Sequence, residues 1–442
     1  MTLSVYVLGR EVATFEAVGD FRSSMTYHPG VNAGDFVSLT MRVRAEPYIW
    51  DDVLHPVFQM NLPEGYLLQV LQEQLGPHIG ASPLALLSVI GRNMIGRIQV
   101  AAPGASLEEP PQPVDVRALL QGDNSEDAFA ELVRQHAASG VSGVVPKFLD
   151  GDAVQTETGA HRKTTLFTHR HIIKGSSRLL PFVSLNEHLC MQVARRVMPT
   201  AVTEVSQDGQ ALVVHRFDVA ENGERLYGME DFCALLGLRP AAKYETTWER
   251  IAKAVRDHVP GANRSAVFKQ MATLLLLTYA LRNADCHAKN VALLYTGHED
   301  VRLAPAYDMI TTAAYPEYGK NPPGISFMGK KTWSPGKSLQ TFITATFGLP
   351  LSEQAEIIDQ IGASMSDVGP QVRQAMVEHS GFNNIGKRML LTWQDGLSEL
   401  RNKRTYALGG VELGESFTGF SDPQPNKVER QVIGRSDLLG RH

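Results

Sequence analysis

The chain of 442 residues has little cysteine, little net charge and no long apolar run. Its three cysteines, Cys190, Cys233 and Cys286, lie far apart and form no C-x-x-C pair. That argues against a disulfide framework and a cysteine-built zinc site, and for a reducing cytoplasm. A net charge of −5 gives no global pull toward nucleic acid or a lipid surface. Any DNA contact then needs a local basic patch or a basic partner. No uncharged apolar run reaches the length that crosses a bilayer, and Met1 to Arg10 lacks the charged start and apolar core of a secretory signal. No repeat is visible. A chain this long is expected to hold two or three domains.

Residues 1 to about 50 alternate in strand fashion, over Leu3–Leu8, Val12–Phe15, Ser24–Tyr27 and Val37–Val43. Helices are predicted over Glu64–Leu75 and Ala81–Ile90, with a closing strand at Ile98–Val100. The proline-rich stretch Ala102–Pro113 reads as a linker. A helix over Ser125–Ala138 has its acidic residues near its start, as the helix dipole prefers. Strands follow at Lys147–Leu149, His171–Lys174 and Ala211–Val214, with a helix at Ser184–Val197. From about 228 to 405 helices dominate, and the tail from Ser421 has no periodicity. The expected partition is 1–105, 114–220, 221–420 and a loose tail, 421–442.

The densest chemistry lies in Asn283-Ala-Asp285-Cys-His287-Ala288-Lys289-Asn290, followed by Tyr307-Asp308. Asp285 and Asn290 have the D-x-x-x-x-N spacing of a kinase catalytic loop, where the Asp positions the attacking hydroxyl and the Asn oxygen ligates Mg²⁺. Asp308 is the candidate second metal ligand, since hard oxygens suit that ion. The loop follows the apolar run Met271–Leu281 and precedes a strand, Val291–Tyr295. Upstream, four features stand in kinase order. They are a glycine loop (Gly140 to Lys147), Lys174 closing an apolar strand, Glu187 in the next helix, and a candidate adenine hinge at His215-Arg216-Phe217-Asp218. In the loop, Ser142, Gly143, Val144, Val145, Pro146 and Lys147 are candidates to cover phosphates. His287 and Lys289 are cations that could meet transferring charge.

Competing motifs are incomplete. Gly336-Lys337-Ser338 has Lys331 where a Walker A glycine belongs. Gly140-Val-Ser142-Gly143-Val144 is not a nucleophile elbow, because its fifth residue is valine. His287 has no second histidine at helical ligand spacing.

These residues resemble the HipA-like serine/threonine kinase toxins. Ala284–Asn290 is similar to that family's catalytic loop, Leu303–Asp308 to its metal loop, His171–Lys174 to its ATP-lysine strand and Leu212–Asp218 to its hinge. Phe58–Gly65 and Gly91–Gly96 resemble segments of its N-terminal subdomain. The resemblance implies an α+β fold. A small β-rich N-terminal subdomain would join a bilobal kinase with a mostly helical C-lobe, distantly like phosphoinositide kinases. It implies ATP and Mg²⁺ as cofactors and Asp285 as the catalytic residue. Lys174, Glu187, Tyr307 and the catalytic loop, including Ala288, would sit at the nucleotide, with Asn290 and Asp308 at the metal. It implies as acceptor an aminoacyl-tRNA synthetase, typically glutamyl-tRNA synthetase, whose phosphorylation halts translation and leads to growth arrest and persistence. It implies as partner a HipB-like DNA-binding antitoxin, which with the kinase represses their operon at operator DNA. The family's loop usually reads Ser-x-Ala/Ser-Gly-x-Gln-x-Lys, whereas here Gly140 and Val145 hold the first Ser and the Gln positions. Ser142 is then the first candidate for autophosphorylation and Ser139 the second. The altered loop also admits a rival: an ATP-binding corepressor scaffold with impaired catalysis. A small-molecule or lipid kinase is a further alternative.

Overall fold

The computed structural model describes residues 1–19, 22–62, 68–73, 82–107, 114–142, 164–220 and 222–401. The expected strand Lys147–Leu149, the glycine-loop residues Gly143 to Lys147 and the tail 421–442 lie outside these described residues. The structure mixes sheets at the N-terminal side with helices toward the C-terminus.

The first sheet has five antiparallel strands in the order β4-β3-β2-β1-β5. They are β1 (Thr2–Val7), β2 (Arg10–Ala17), β3 (Ser23–Tyr27), β4 (Tyr48–Trp50) and β5 (Ile98–Ala101). The β1–β2 hairpin turns on Leu8 and Gly9, both at positive φ (49° and 77°). That is the backbone a two-residue turn needs to match the strand twist. Leu3, Val5 and Phe15 pack with Phe58 of α1 (Pro56–Gln59) and Leu87 of α2 (Pro83–Ile90). Residues 68–73, inside the predicted helix Glu64–Leu75, are helical.

The expected strand Val37–Val43 is instead a tight reversal in which Met41 N–H donates to the Ser38 carbonyl. Its alternation is real, for Val37, Leu39 and Met41 are all buried. However, Ser38 Oγ and Leu39 N–H spend their bonds on the buried Glu230 carboxylate rather than on a strand ladder.

A second sheet follows α3 (Val116–Gln121) and α4 (Glu126–Ser142). Its strands, β6 (Thr164–Phe167), β7 (His171–Gly175), β8 (Thr203–Val205) and β9 (Ala211–His215), run antiparallel in the order β6-β7-β9-β8. Helix α4 continues through Gly140 to Ser142, where a loop was expected. One glycine costs a helix only about 1 kcal/mol and does not stop it. Helix α5 (Val183–Ala194) lies beside this sheet and buries Glu187.

Helices make up most of the remainder: α6 (Phe232–Leu235), α7 (Trp248–His258), α8 (Gly261–Leu281), α9 (Lys337–Phe347), α10 (Leu351–Glu378) and α11 (Asn383–Leu400). Every residue of α8 from Met271 to Leu281 is buried, which explains why its sequence is apolar all round. A third, small sheet of β10 (Gly228–Asp231), β11 (Ala292–Tyr295) and β12 (Arg302–Leu303) rests among these helices. The loop from α8 to β11 and the loop after β12 carry the candidate chemistry. No described helix is long and apolar enough to cross a membrane.

Candidate active site

Strand alternation decides where Lys174 points. Ile173 faces one side of β7, into the core, so Lys174 faces the other. Its Nζ lies 2.5 Å from Glu187 Oε1 and 2.8 Å from Asp308 Oδ1. Glu187 is 1% exposed, so this carboxylate is taken out of water with its cation already beside it. Helix α5 is in turn fastened to the loop after β12. Asn186 Nδ2 donates to the Thr311 carbonyl at 3.1 Å, and Thr311 N–H donates to Asn186 Oδ1 at 3.0 Å.

Asp308 adopts φ = +57°, a conformation costly for most side chains and more tolerated by aspartate. Contacts on both carboxylate oxygens hold it there. Lys174 takes Oδ1, and Asn290 Nδ2 donates to Oδ2 at 2.7 Å. Because the carboxylate can only accept, the Asn290 amide must turn its nitrogen toward it. Asn290 Oδ1 is then left buried with no hydrogen-bond partner. An orphaned buried acceptor costs about 1–3 kcal/mol. Beside a carboxylate oxygen, it is a donor set that fits a hard divalent cation. Tyr307 links the two loops, its hydroxyl donating to the Lys289 carbonyl at 2.7 Å.

The catalytic-loop candidate begins where α8 stops. Arg282 turns left-handed (φ 53°), and Asn283 N–H returns to the Thr278 carbonyl at 3.0 Å. Asn283 Oδ1 accepts from Asp285 N–H at 3.1 Å. Thr312 Oγ1 accepts from Ala284 N–H at 2.9 Å and donates to the Arg282 carbonyl at 2.7 Å. Ala288 N–H donates to the Lys243 carbonyl, and the Tyr244 hydroxyl donates to Asp285 Oδ1. His287 is buried with its ring against Tyr244. Burial pushes the Cys286 thiol up to about 12, so it supplies no thiolate. A cavity of about 430 Å³ opens beside Asp285, walled by Leu180, Val183, Ile310, Tyr315 and Pro322.

The hinge candidate differs from expectation. His215 N–H donates to the Val202 carbonyl and Arg216 N–H to the Arg170 carbonyl, both at 2.9 Å. Two of its four N–H groups are therefore committed inside the protein, and Phe217 is the candidate donor to a base. The Arg216 side chain does not face a nucleotide. It is buried against Asp218, Asn93 Oδ1 and the Met94 carbonyl, all from or facing the N-terminal sheet domain. The reason is the adjacent Asp218, which offers a buried charge partner at 2.6 Å. Ser139 and Ser142 have helical backbone at the end of α4.

Several residues that build the site had no sequence signal. Tyr244, Thr312 and Asn186 carry no motif, and they meet the loop only through chain folding. Gly324 had a partial signal in Pro322-Pro323-Gly324, which marks an irregular path. A Cβ there would stand 2.3 Å from the Cys286 carbonyl oxygen.

Comparison with known proteins places this chain in a family. Residues 3–101 match the model of the HipA N-terminal domain, and residues 139–368 that of the HipA-like C-terminal domain. Two Sinorhizobium fredii proteins named as kinases are similar to the chain. Y4mE is 26% identical over 79% of this chain and 86% of its own length, and Y4dM is 24% identical over 74% and 81%. The solved structure of Shewanella oneidensis MR-1 HipA, in complex with HipB and its operator DNA, has the same fold. It matches with a TM-score of 0.61 at 17% identity, over 90% of this chain and 99% of that one. The chain belongs to the HipA-like family of kinase toxins.

Proposed function

We propose that the protein is an ATP- and Mg²⁺-dependent kinase that phosphorylates a serine or threonine hydroxyl on another protein. One observation carries the reading: Lys174 joins Glu187 to Asp308, Asp308 holds the Asn290 amide, and Asn290 Oδ1 is left buried and unbonded. A scaffold has no need for an orphaned acceptor beside a carboxylate. On this reading the fold is bilobal, with 1–105 as N-terminal subdomain, 114–220 as N-lobe and 221–420 as helical C-lobe. Lys174 serves the α/β-phosphates and Glu187 steadies it. The loop from Ser142 to Lys147 covers the phosphates, and Phe217 meets adenine. Asn290 Oδ1 and Asp308 would hold Mg²⁺, which when bound neutralises charge on the phosphate oxygens. Asp285 orients the acceptor hydroxyl and receives its proton.

The family supports a role as the toxin of a type II toxin–antitoxin pair, acting in the cytoplasm. An aminoacyl-tRNA synthetase is the proposed acceptor, with autophosphorylation at Ser142, then Ser139. A HipB-like antitoxin is the proposed partner, and operator DNA is reached through it. The related HipA was solved with HipB and operator DNA, which supports this choice.

Transfer of labelled γ-phosphate in host lysate tests the reading, comparing the wild type with Asp285→Ala. A labelled band seen only with the wild type identifies a protein kinase, and its mass nominates the target. ATP binding without any labelling moves the assignment to a corepressor scaffold, the alternative favoured by Gly140 and Val145 in the altered loop.

A further inference from the structure

We propose that Tyr244 is the positioning residue for Asp285, fixing which carboxylate oxygen meets the acceptor; the inference rests on the kinase reading above. The phenol of Tyr244 donates to Oδ1 of Asp285. A donor fixed on one carboxylate oxygen orients the plane of both, so the second oxygen is aimed as well.

The tyrosine is held from several sides. Its carbonyl accepts from Lys331 Nζ at 2.8 Å. Its ring stands edge-on to His287, with centroids 4.9 Å apart and planes at 88°. The Nζ atoms of Lys243 and Lys331 lie 5.8 and 5.7 Å from its centroid. Its neighbour Lys243 accepts from Ala288 N–H at 3.0 Å. The segment before α7 is therefore tied to the catalytic loop at two points, and the phenol is not a passing surface contact.

Tyr244 also lines the cavity beside Asp285. An acceptor segment entering there brings its hydroxyl to the carboxylate oxygen that Tyr244 does not engage. The acceptor oxygen forms a bond to the γ-phosphorus. The bond from that phosphorus to the β,γ-bridging oxygen breaks, and its electron pair leaves on ADP. The acceptor's proton passes to Asp285. Tyr244 keeps its own proton throughout and only orients.

The test is a double-mutant cycle of Tyr244→Phe and Asp285→Asn. Transfer from labelled ATP to a mixed pool of serine- and threonine-containing peptides is followed at saturating ATP. Phenylalanine keeps the ring packing and removes only the donor. In the wild-type background Tyr244→Phe is expected to lower kcat about 10- to 100-fold, the scale of a misplaced catalytic group, with KM for ATP within about twofold. In the Asp285→Asn background it should cause no further loss, because residues acting as a unit are not additive. An unchanged kcat, an increased kcat, or an equal loss in both backgrounds overturns the proposal. A rise would mean the phenol only blocks the acceptor site. If Tyr244→Phe matches the wild type while Asp285→Asn is impaired, the kinase reading stands and the role of Tyr244 falls. If the wild type neither binds MgATP nor transfers phosphate, both fall.

Discussion

Lys174 is a single cation between two carboxylates, and its surroundings decide what its loss would do. Glu187 is buried against the ammonium, and Asp308 is kept at an unfavourable φ partly by the same contact. Lys174→Met should therefore destabilise the fold by about 3–5 kcal/mol, the scale for removing one partner of a buried ion pair. It should also abolish transfer. Lys174→Met combined with Glu187→Leu should recover much of the stability and none of the activity. Urea unfolding of the three proteins separates these effects, and equal stability of the single and double variants would contradict the argument. The spacing of Lys174, Glu187, Asn290 and Asp308 was legible in the sequence, because strand, helix and loop punctuation order those residues along the chain. The direct grip of Lys174 on Asp308 was not, since it joins a strand of the second sheet to a loop 134 residues further along the chain.

At the scale of elements, the regular pieces were the readable ones. The apolar run in α8, the strand before the metal loop and the hairpins of the first sheet all follow from periodicity. Most of the shortest strands were missed: β4, β6, β8, β10 and β12 have two to four residues, which leaves alternation little length in which to show. The walls of the site come from irregular chain, where pattern says least. Gly324 illustrates this. Its Cα faces the catalytic loop so closely that an added Cβ would meet the Cys286 carbonyl oxygen at 2.3 Å and the Ala284 carbonyl oxygen at 3.1 Å. Both contacts are backbone, so the loop carrying Asp285 must shift to admit a methyl group. Gly324→Ala is predicted to lower transfer about 100-fold, as a misplacement near 1 Å does. MgATP affinity should fall far less than transfer, because Lys174 and Asp308 lie on other segments and only Asn290 of the metal site shares the loop. Isothermal titration with MgATP alongside the transfer assay checks both halves. Loss of ATP binding would show that the whole cleft, and not the acceptor side, depends on this glycine.

Across the whole molecule, burial ties stability to pH through neutral histidines in both halves. His55 caps α1 by accepting from Val57 N–H at Nδ1, and burial pushes its pKa down to about 4. His188, next to Glu187 on α5, is lowered to about 4 by burial and by the charge of Arg195. His169, His171, His258 and His298 are shifted the same way. The sign follows from proton counting. An unfolded histidine binds its proton near pH 6.5, while these two remain neutral in the fold until about 4. Their contribution is complete above pH 6.5 and is lost as pH falls toward 4. At pH 5.5 each should remove about 1.4 kcal/mol, so the pair removes about 3 kcal/mol relative to pH 7.5. Protonating His55 would also take away the acceptor that caps α1. Buried Glu230, which joins the N-terminal sheet domain to β10 and β11, is shifted upward by burial and works in the opposite direction as pH falls. Burial pushes the Asp218 carboxyl up, but Arg216, the Gly96 N–H and Arg225 together hold it below its usual range, so it matters only below about pH 3.8. The loss of stability from pH 6.5 to 5.5 is thus assigned to the histidines, against the opposing sign of Glu230. Urea midpoints at pH 7.5 and 5.5 should fall for the wild type. They should fall much less for His55→Asn with His188→Gln, which keeps a capping side chain and a hydrogen-bonding amide. An undiminished fall in the double variant would assign the acid sensitivity to other groups and would mean that these two histidines already carry protons in the fold.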